Sequence, residues 1–544
     1  MNMVFSQTTL PTASSIPWLT LLVAWPLVFA LVLWLVKPLR PLGREIALAV
    51  SLVELAGVLV AAATSYNPAA APAFQLGESY PWIPAIGLSW ALGVNGLGLV
   101  MIILATALTP LVILSSWRED QDADARAGYA GLILGLEACM VLIFTARDLL
   151  LFYLTFEAML VPLYFLVGRF GHGEAARRRH AAIKFVLYSL AGGLVMLFGV
   201  IAVYVGAAPV TKSPAGLFHM DNLTALDLGS NPLAYFTMWT FLLAFAIKAP
   251  MVPVHTWLPT TAAVARGGTS VLLVGVLDKV GTWGMIMFCW QLFPAASAAV
   301  APLVIVLAVI SILWGALAAI ASKDLMRLVS FTSISHFGFM VMALYIGSQT
   351  AIEGAMLYMV AHGVSIAGMF LLSGWLTERG GTQEIAAYSG FQRVTPTLAG
   401  LFLTSGLAAI GLPGLSGFLP EYLILVGTFK VSLAAALFAV LGVVLAAVYL
   451  LLPYQNLFTG PTDARVRTAP DLGSREKLIM VPVILAMLGL GFLPGPTLDL
   501  MKPDAAEMYA VQSPHLGSMG TRQMAPHEKD AANPTENHAE GSTK

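Results

Sequence analysis

Of the 544 residues, 58% are hydrophobic and only 10% charged, with a net charge of -1, whereas a soluble chain carries roughly 25% charged residues. That much apolar surface excludes a water-soluble globule and makes lipid the expected solvent. The two cysteines, Cys139 and Cys289, are too few for an iron–sulfur cluster or an all-cysteine zinc site, and no glycine-rich nucleotide fingerprint follows a strand-like segment.

In chain order, residues 1–16 lack a basic stretch, so the first apolar run reads as a retained helix and not a cleaved signal. Runs able to cross about 30 Å of hydrocarbon follow at 16–36, 45–65, 95–117, 128–146, 148–168, 181–206, 233–259, 268–293, 301–321, 325–347, 353–376, 396–430, 432–452 and 477–494. Two of them contain helix breakers: Lys248-Ala-Pro-Met-Val-Pro253 in the seventh and Gly411-Leu-Pro-Gly-Leu-Ser-Gly417 in the twelfth. Prolines remove backbone donors, and freed backbone is tolerated at membrane depth only where protein buries it or it lines a wet cavity. Breaks in corresponding positions of two halves point to inverted repeats around an ion path; a pair of kinks without a transport role is the plainer alternative.

The pattern predicts an all-α, polytopic membrane protein of about fourteen helices, two of them discontinuous. Spans one to three fall in 1–127, two inverted repeats of five helices in 128–293 and 301–452, and a loop with the last span in 453–494. From 495 to 544 the chain turns polar without an apolar period, and a disordered tail is expected. Of the 28 Lys and Arg, nineteen lie in loops after odd-numbered spans and three, Arg147, Lys212 and Lys430, in loops after even ones. This bias places the odd loops in the cytoplasm and both termini outside.

Nine titratable residues sit where hydrocarbon should forbid them: Glu54, Glu137, Glu157, Lys248, Asp278, Lys279, His336, His362 and Glu421. An ionised Asp, Lys or Arg at a helix centre costs about 2.5–3.5 kcal/mol on insertion scales, so several together must be paired, hydrated or neutralised. They come from separate spans but share one depth, which describes a row running sideways through the protein. Burial moves carboxyl and amine proton affinities toward each other, so such a row suits proton transfer better than metal binding. Glu157 and Lys248 form the natural coupled pair. Singly, Glu54 stands between helix packing and function, Asp278 reads as a counter-ion on its own helix, and His255 as a cap for carbonyls freed at the first break. The hydroxyls of Ser330-Phe-Thr-Ser-Ile-Ser-His336 either hold water or bond back to their own helix.

Phe156-Glu157-Ala-Met-Leu-Val-Pro162, Lys248-Ala-Pro-Met-Val-Pro-Val-His-Thr-Trp-Leu-Pro259, Gly275-Val-Leu-Asp-Lys279-Val-Gly, Lys323-Asp-Leu-Met-Arg-Leu and Ser335-His336-Phe-Gly-Phe together resemble the antiporter-like subunits of respiratory complex I. A glutamate in Phe418-Leu-Pro-Glu421, where the L and N types carry lysine, is similar to the M-type branch. The resemblance implies a proton-translocating subunit of a bacterial NADH:quinone oxidoreductase in the cytoplasmic membrane. Glu157 would be the switch carboxylate paired with Lys248, Glu137 a neighbouring carboxylate, Lys279, His336 and His362 the central relay, and Glu421 the exit-side group. It further implies no cofactor or metal on this chain, with NADH, FMN, iron–sulfur clusters and quinone held by partner subunits. Those partners would be L- and N-type neighbours and small membrane subunits; no nucleic acid is expected. The chain departs from the family pattern at Thr260 and Val264, where acids are usual, and at Asn95, where Asp is. A subunit of a multi-subunit cation/proton antiporter or of a related redox-driven complex is the second reading, and a non-conducting scaffold the third.

Overall fold

The computed structural model describes residues 16–70, 74–208, 216–226, 228, 233–462 and 467–516. Lys212 and Arg465 of the charge tally, residues 1–15 and the tail from 517 onward lie outside them. The structure is mostly helical, and each predicted span contains a helix.

α1 (Trp18–Leu35) and α2 (Gly43–Ser65) lead into a hairpin, β1 (Gln75–Ile83) and β2 (Leu88–Val94), then α3 (Gly96–Ser115) and α4 (Ala123–Thr145). The fifth span is α5 (Leu149–Ala158) and α6 (Leu160–Gly168), followed by α7 (Ala175–Ala207) and the short α8 (Met220–Ala225). α9 (Ala234–Lys248) and α10 (Trp257–Ala262) flank the first break, and α11 (Gly267–Leu272) and α12 (Lys279–Gly284) belong to one span interrupted by π-helical turns. α13 (Pro294–Ala321), α14 (Leu325–Tyr345) and α15 (Gln349–Gly380) precede the second broken span, α16 (Pro396–Ala409) and α17 (Phe418–Val431). α18 (Leu433–Phe458), α19 (Ser474–Phe492) and α20 (Gly495–Gln512) complete the described chain.

Among the described residues, eleven helices are long and apolar enough to cross a membrane, or twelve if α19 and α20, bent by 66°, count as one span. α9, α16 and most of α17 are apolar but shorter. Short polar side chains fix many starts: Asn95, Asp122, Asp148, Asp324, Ser348 and Ser432 each accept a backbone N–H of the helix they begin. The helices divide into an inner and an outer set. The best apolar windows of 267–290, α14 and α15 are 94–100% buried by other protein, against 33–39% for α1, α2, α13 and α18. The outer faces carry Leu, Val, Phe and Trp, as a lipid-facing surface requires.

Two expectations need correction. The all-α reading missed the antiparallel hairpin, which pairs Gln75 with Val94 and Tyr80 with Trp90 and turns at Gly87, whose φ is +80°. Its strands, of nine and seven residues, show no regular alternation of buried and exposed positions, so the period-2 signal is missing. The tail does not begin at 495, because 495–512 is helix α20. Met501, Ala505 and Met508 recur at helical spacing on one buried face, a stripe hidden between Lys502, Asp504 and Glu507. Asp504 of that helix accepts the backbone N–H of Leu97 (2.7 Å) beside Asn95, which caps Gly98 N (2.9 Å). The departure at Asn95 is therefore a working cap, supplemented by a carboxylate from the far end of the chain.

A charge cluster fastens the N-terminal helices to the inner set. Arg266 is 7% exposed; its guanidinium donates to both carboxylate oxygens of Asp120 (2.9 and 2.8 Å) and to the Phe170 carbonyl (2.6 Å), with Glu119 Oε2 at 2.8 Å. Removing one partner of a buried ion pair costs about 3–5 kcal/mol. Arg266→Ala is therefore expected to lower the thermal stability and yield of the assembled protein sharply, whereas Arg40→Ala, whose partner Asp124 is exposed, should change a melting curve little.

Candidate functional site

Both breaks fall where Pro and Gly interrupt the apolar runs. After Lys248 the chain leaves the helix until Trp257, and the freed backbone finds partners: Val252 N donates to Ser311 Oγ (3.0 Å), and Trp257 Nε1 donates to the Ile247 carbonyl (3.0 Å). At the second break Gly411 and Gly414 adopt φ of +72° and +88°, a region that favours glycine. Lys248 ends α9, at the carbonyl end of the half-helix, and Glu421 lies in the first turn of α17, where N–H groups converge. Each charge thus matches the dipole end it occupies.

Lys279 follows the π-helical turn Leu273–Leu277, which fits one residue more than an α-helix and re-aims the side chains after it. Its Nζ donates to the Val274 carbonyl (2.6 Å) and lies 2.7 Å from His362 Nδ1. His362 and His336 meet edge to face with ring centroids 5.2 Å apart. From His336 the line divides: Nε2 is 3.1 Å from Tyr449 Oη, and the ring lies 5.6 Å from that of Tyr358. Tyr358 Oη donates to Glu421 Oε1 (2.5 Å). All of these side chains are buried. Lys279, His362, His336 and Glu421 are thereby joined through hydrogen bonds and ring contacts, with two tyrosines that sequence reasoning missed. One signal was available: Tyr358 stands four residues before His362, on the same helix face.

The other half is more open. Glu157 and Lys248 lie within electrostatic reach of each other but form no ion pair within 4 Å. Lys248 Nζ has no hydrogen-bond partner among the described residues and sits 5.8 and 5.7 Å from the Phe156 and Phe185 ring centres. Asp278 feels both Lys248 and Lys279, and neither of its buried oxygens is hydrogen-bonded. Its charge thus acts on a lysine outside its own helix as well as on its chain neighbour. Glu137 shares no hydrogen bond or ion pair with this line among the described residues; the charge acting on it is Glu54, also buried, and Thr109 lies beside its carboxyl. His255 accepts from Trp314 Nε1 (3.2 Å) and caps no carbonyl.

Two glycines make room for the carboxyls. A methyl built on Gly193 of α7 would overlap Glu157 Oε1, and one on Gly411 would crowd Glu421 Oε2. Gly193→Ala should displace Glu157 while leaving its charge, and misplacing a reacting group by about 1 Å can cost on the order of a hundredfold. A severe fall in proton translocation with normal assembly is the expected result, read as vesicle acidification per electron transferred.

Membrane-length apolar helices around two broken spans, with buried titratable groups beside the breaks, are the features of a polytopic membrane protein of the antiporter-like class. The family model described as NADH:quinone oxidoreductase/Mrp antiporter, transmembrane, matches residues 146–446. The NADH-quinone oxidoreductase subunit M of Mycobacterium tuberculosis is 40% identical over 523 residues, covering 90% of this chain and 93% of that one. A chain of respiratory complex I from Thermus thermophilus superposes with a TM-score of 0.81 at 32% identity, over 91% of this chain and 99% of that one. A chain of the Mrp complex from Dietzia shares the fold, with a TM-score of 0.79 at 20% identity over 93% and 100%. The chain belongs to the NADH-quinone oxidoreductase subunit M family.

Proposed function

We propose that this chain moves protons across a bacterial cytoplasmic membrane as the M-type subunit of an NADH:quinone oxidoreductase, along Glu157, Lys248, Asp278, Lys279, His362, His336 and Glu421. The observation that carries this reading is the buried contact series from Lys279 through His362, His336 and Tyr358 to Glu421. In this reading the two broken spans complete fourteen crossings, 128–293 and 301–452 are inverted repeats, and both termini face outward. Spans one to three (1–127) and the segment 453–494 flank the repeats. Glu137, with Glu54, forms a side branch. NADH, FMN, iron–sulfur clusters and quinone belong to partner subunits, among them L- and N-type neighbours.

Lys248 is under the charge of two acids, Asp278 and Glu157. Electron transfer in the partners would shift Lys248 between them: near Glu157 it holds its proton, and released toward Asp278 it hands charge to Lys279. Asp278→Asn keeps the shape of the side chain and removes the acceptor, so translocation should fall strongly while the assembled complex stays intact. A counter-ion role predicts unchanged acidification in that variant.

The reading itself is tested in inverted membrane vesicles. NADH should drive acidification that stops with a quinone-site inhibitor and is lost when this subunit is deleted. Sodium-driven collapse of an imposed pH gradient without NADH would instead support the cation/proton antiporter reading. A scaffold gains nothing from several costly buried charges, and it predicts full pumping after neutral substitution of Lys248 and Lys279.

A further inference from the structure

Two deep carboxyls remain outside the line from Glu157 to Glu421. Glu54 lies on the buried stripe of α2 with Val50, Ser51 and Val58 and is 1% exposed, and Glu137 of α4 is fully buried. α2, α3 and α4 pack on one another, and Glu54 is the charge that acts on Glu137. Among the described residues neither carboxyl makes an ion pair. Of the other elements packed on α2 or α4, α1, α3, α6 and β2 carry no charged side chain. The remaining ones bring Glu157 of α5, Lys279 of α12, and Lys37 and Arg40 of residues 37–42. None of these charges acts on the pair.

The hydroxyls around the pair offer it no hydrogen. Ser51 Oγ donates to the Leu48 carbonyl (3.1 Å), Thr106 Oγ1 to that of Ile102 (2.8 Å) and Thr109 Oγ1 to that of Ala105 (2.9 Å). A hydroxyl has one hydrogen and two lone pairs, so Thr109, beside the Glu137 carboxyl, can only accept from it. A carboxylate there would face oxygen lone pairs, whereas a carboxylic acid supplies the missing hydrogen. Both oxygens of Glu54 are buried without a hydrogen-bond partner among the described residues. Two ionised carboxyls in this setting would add mutual repulsion to the cost of burial.

We propose that Glu54 and Glu137 form a second proton-binding site, a pair in which at least one carboxyl always keeps its proton. α3 lies between this pair and the central relay. Its Thr109 is beside Glu137, while its Leu108 and Leu104 lie against Gly275 and Gly363, in the spans that carry Lys279 and His362. The side branch therefore holds a proton beside the line and is not a segment of it. That role rests on the translocation reading, whereas the binding of the proton does not.

The test uses the whole complex in native membranes, without NADH, and reads the infrared carbonyl stretch of un-ionised carboxylic acid. The spectrum of the unaltered complex minus that of Glu54→Gln with Glu137→Gln should contain this band at neutral pH. Alkaline titration should weaken the band and leave a remainder, because the second proton would leave against a like charge. In Glu54→Gln the Glu137 carboxyl should hold its proton about tenfold less tightly. The remainder should then vanish at an alkaline pH that preserves it in the unaltered complex. Absence of the band at neutral pH, or an unchanged proton affinity in Glu54→Gln, would overturn the site. Loss of the band on adding sodium at constant pH would make the pair a cation site, which overturns it as well. If the double variant fails to assemble, each single Gln variant supplies the subtraction. NADH-driven acidification in the same membranes reads the translocation reading separately, so either one can fail alone.

Discussion

Glu157→Gln is expected to reduce proton pumping by the assembled complex to background while electron input from NADH to an artificial acceptor continues. The amide has nearly the shape of the carboxyl, so the space that Gly193 leaves on α7 is still filled and packing is preserved. What disappears is the negative charge facing Lys248, whose ammonium has no hydrogen-bond partner among the described residues. Glu157 is half-buried, and loss of its charge leaves the buried Lys248 ammonium without one of the two acids that act on it. The measurement is vesicle acidification together with quinone reduction in the same membranes. Wild-type pumping in a fully assembled Glu157→Gln complex would remove this residue from the mechanism.

Substitution of Lys279 has a comparable expected effect, and the choice of replacement separates its possible roles. Lys279 lies 2.7 Å from His362 and beside Asp278, so among the described residues it is the lysine in contact with the second half of the line. Lys279→Met should stop pumping by opening a gap between Asp278 and His362. Lys279→Arg is the sharper variant. A guanidinium keeps the positive charge but does not release its proton in the working range. A structural cation would be rescued by arginine, whereas a proton carrier would not. Pumping close to wild type in Lys279→Arg would therefore defeat the carrier role, and loss in both variants with normal assembly would support it.

The sequence exposed the charged residues of this site because hydrocarbon makes them conspicuous. Glu157, Lys248, Lys279, His336, His362 and Glu421 stand out against apolar runs at an energetic cost that only function or pairing offsets. Tyr358 and Tyr449 carry no such signal, since a tyrosine in an apolar helix is common and its hydroxyl becomes informative only when its partner is known. Glu137 stood out as clearly as Glu157 but faces Glu54. A shared depth does not imply a shared contact. Asp278 acts on Lys248 as well as on its chain neighbour Lys279, and no local pattern links it to a lysine thirty residues away in sequence.

By itself the sequence determined the solvent of this protein, most of its spans, the two breaks and which charges lie deep. Each of these depends on the order of residues along one helix: length against bilayer thickness, proline and glycine against backbone bonding, charge against hydrocarbon. The tertiary structure alone decided who touches whom. Lateral contact depends on how each helix is rotated and packed, and the π-helical turns around Lys279 reset that rotation within a single span. The capping of α3 by Asp504, from more than four hundred residues downstream, belongs to the same category, because no local rule links two ends that meet only after the bundle has closed.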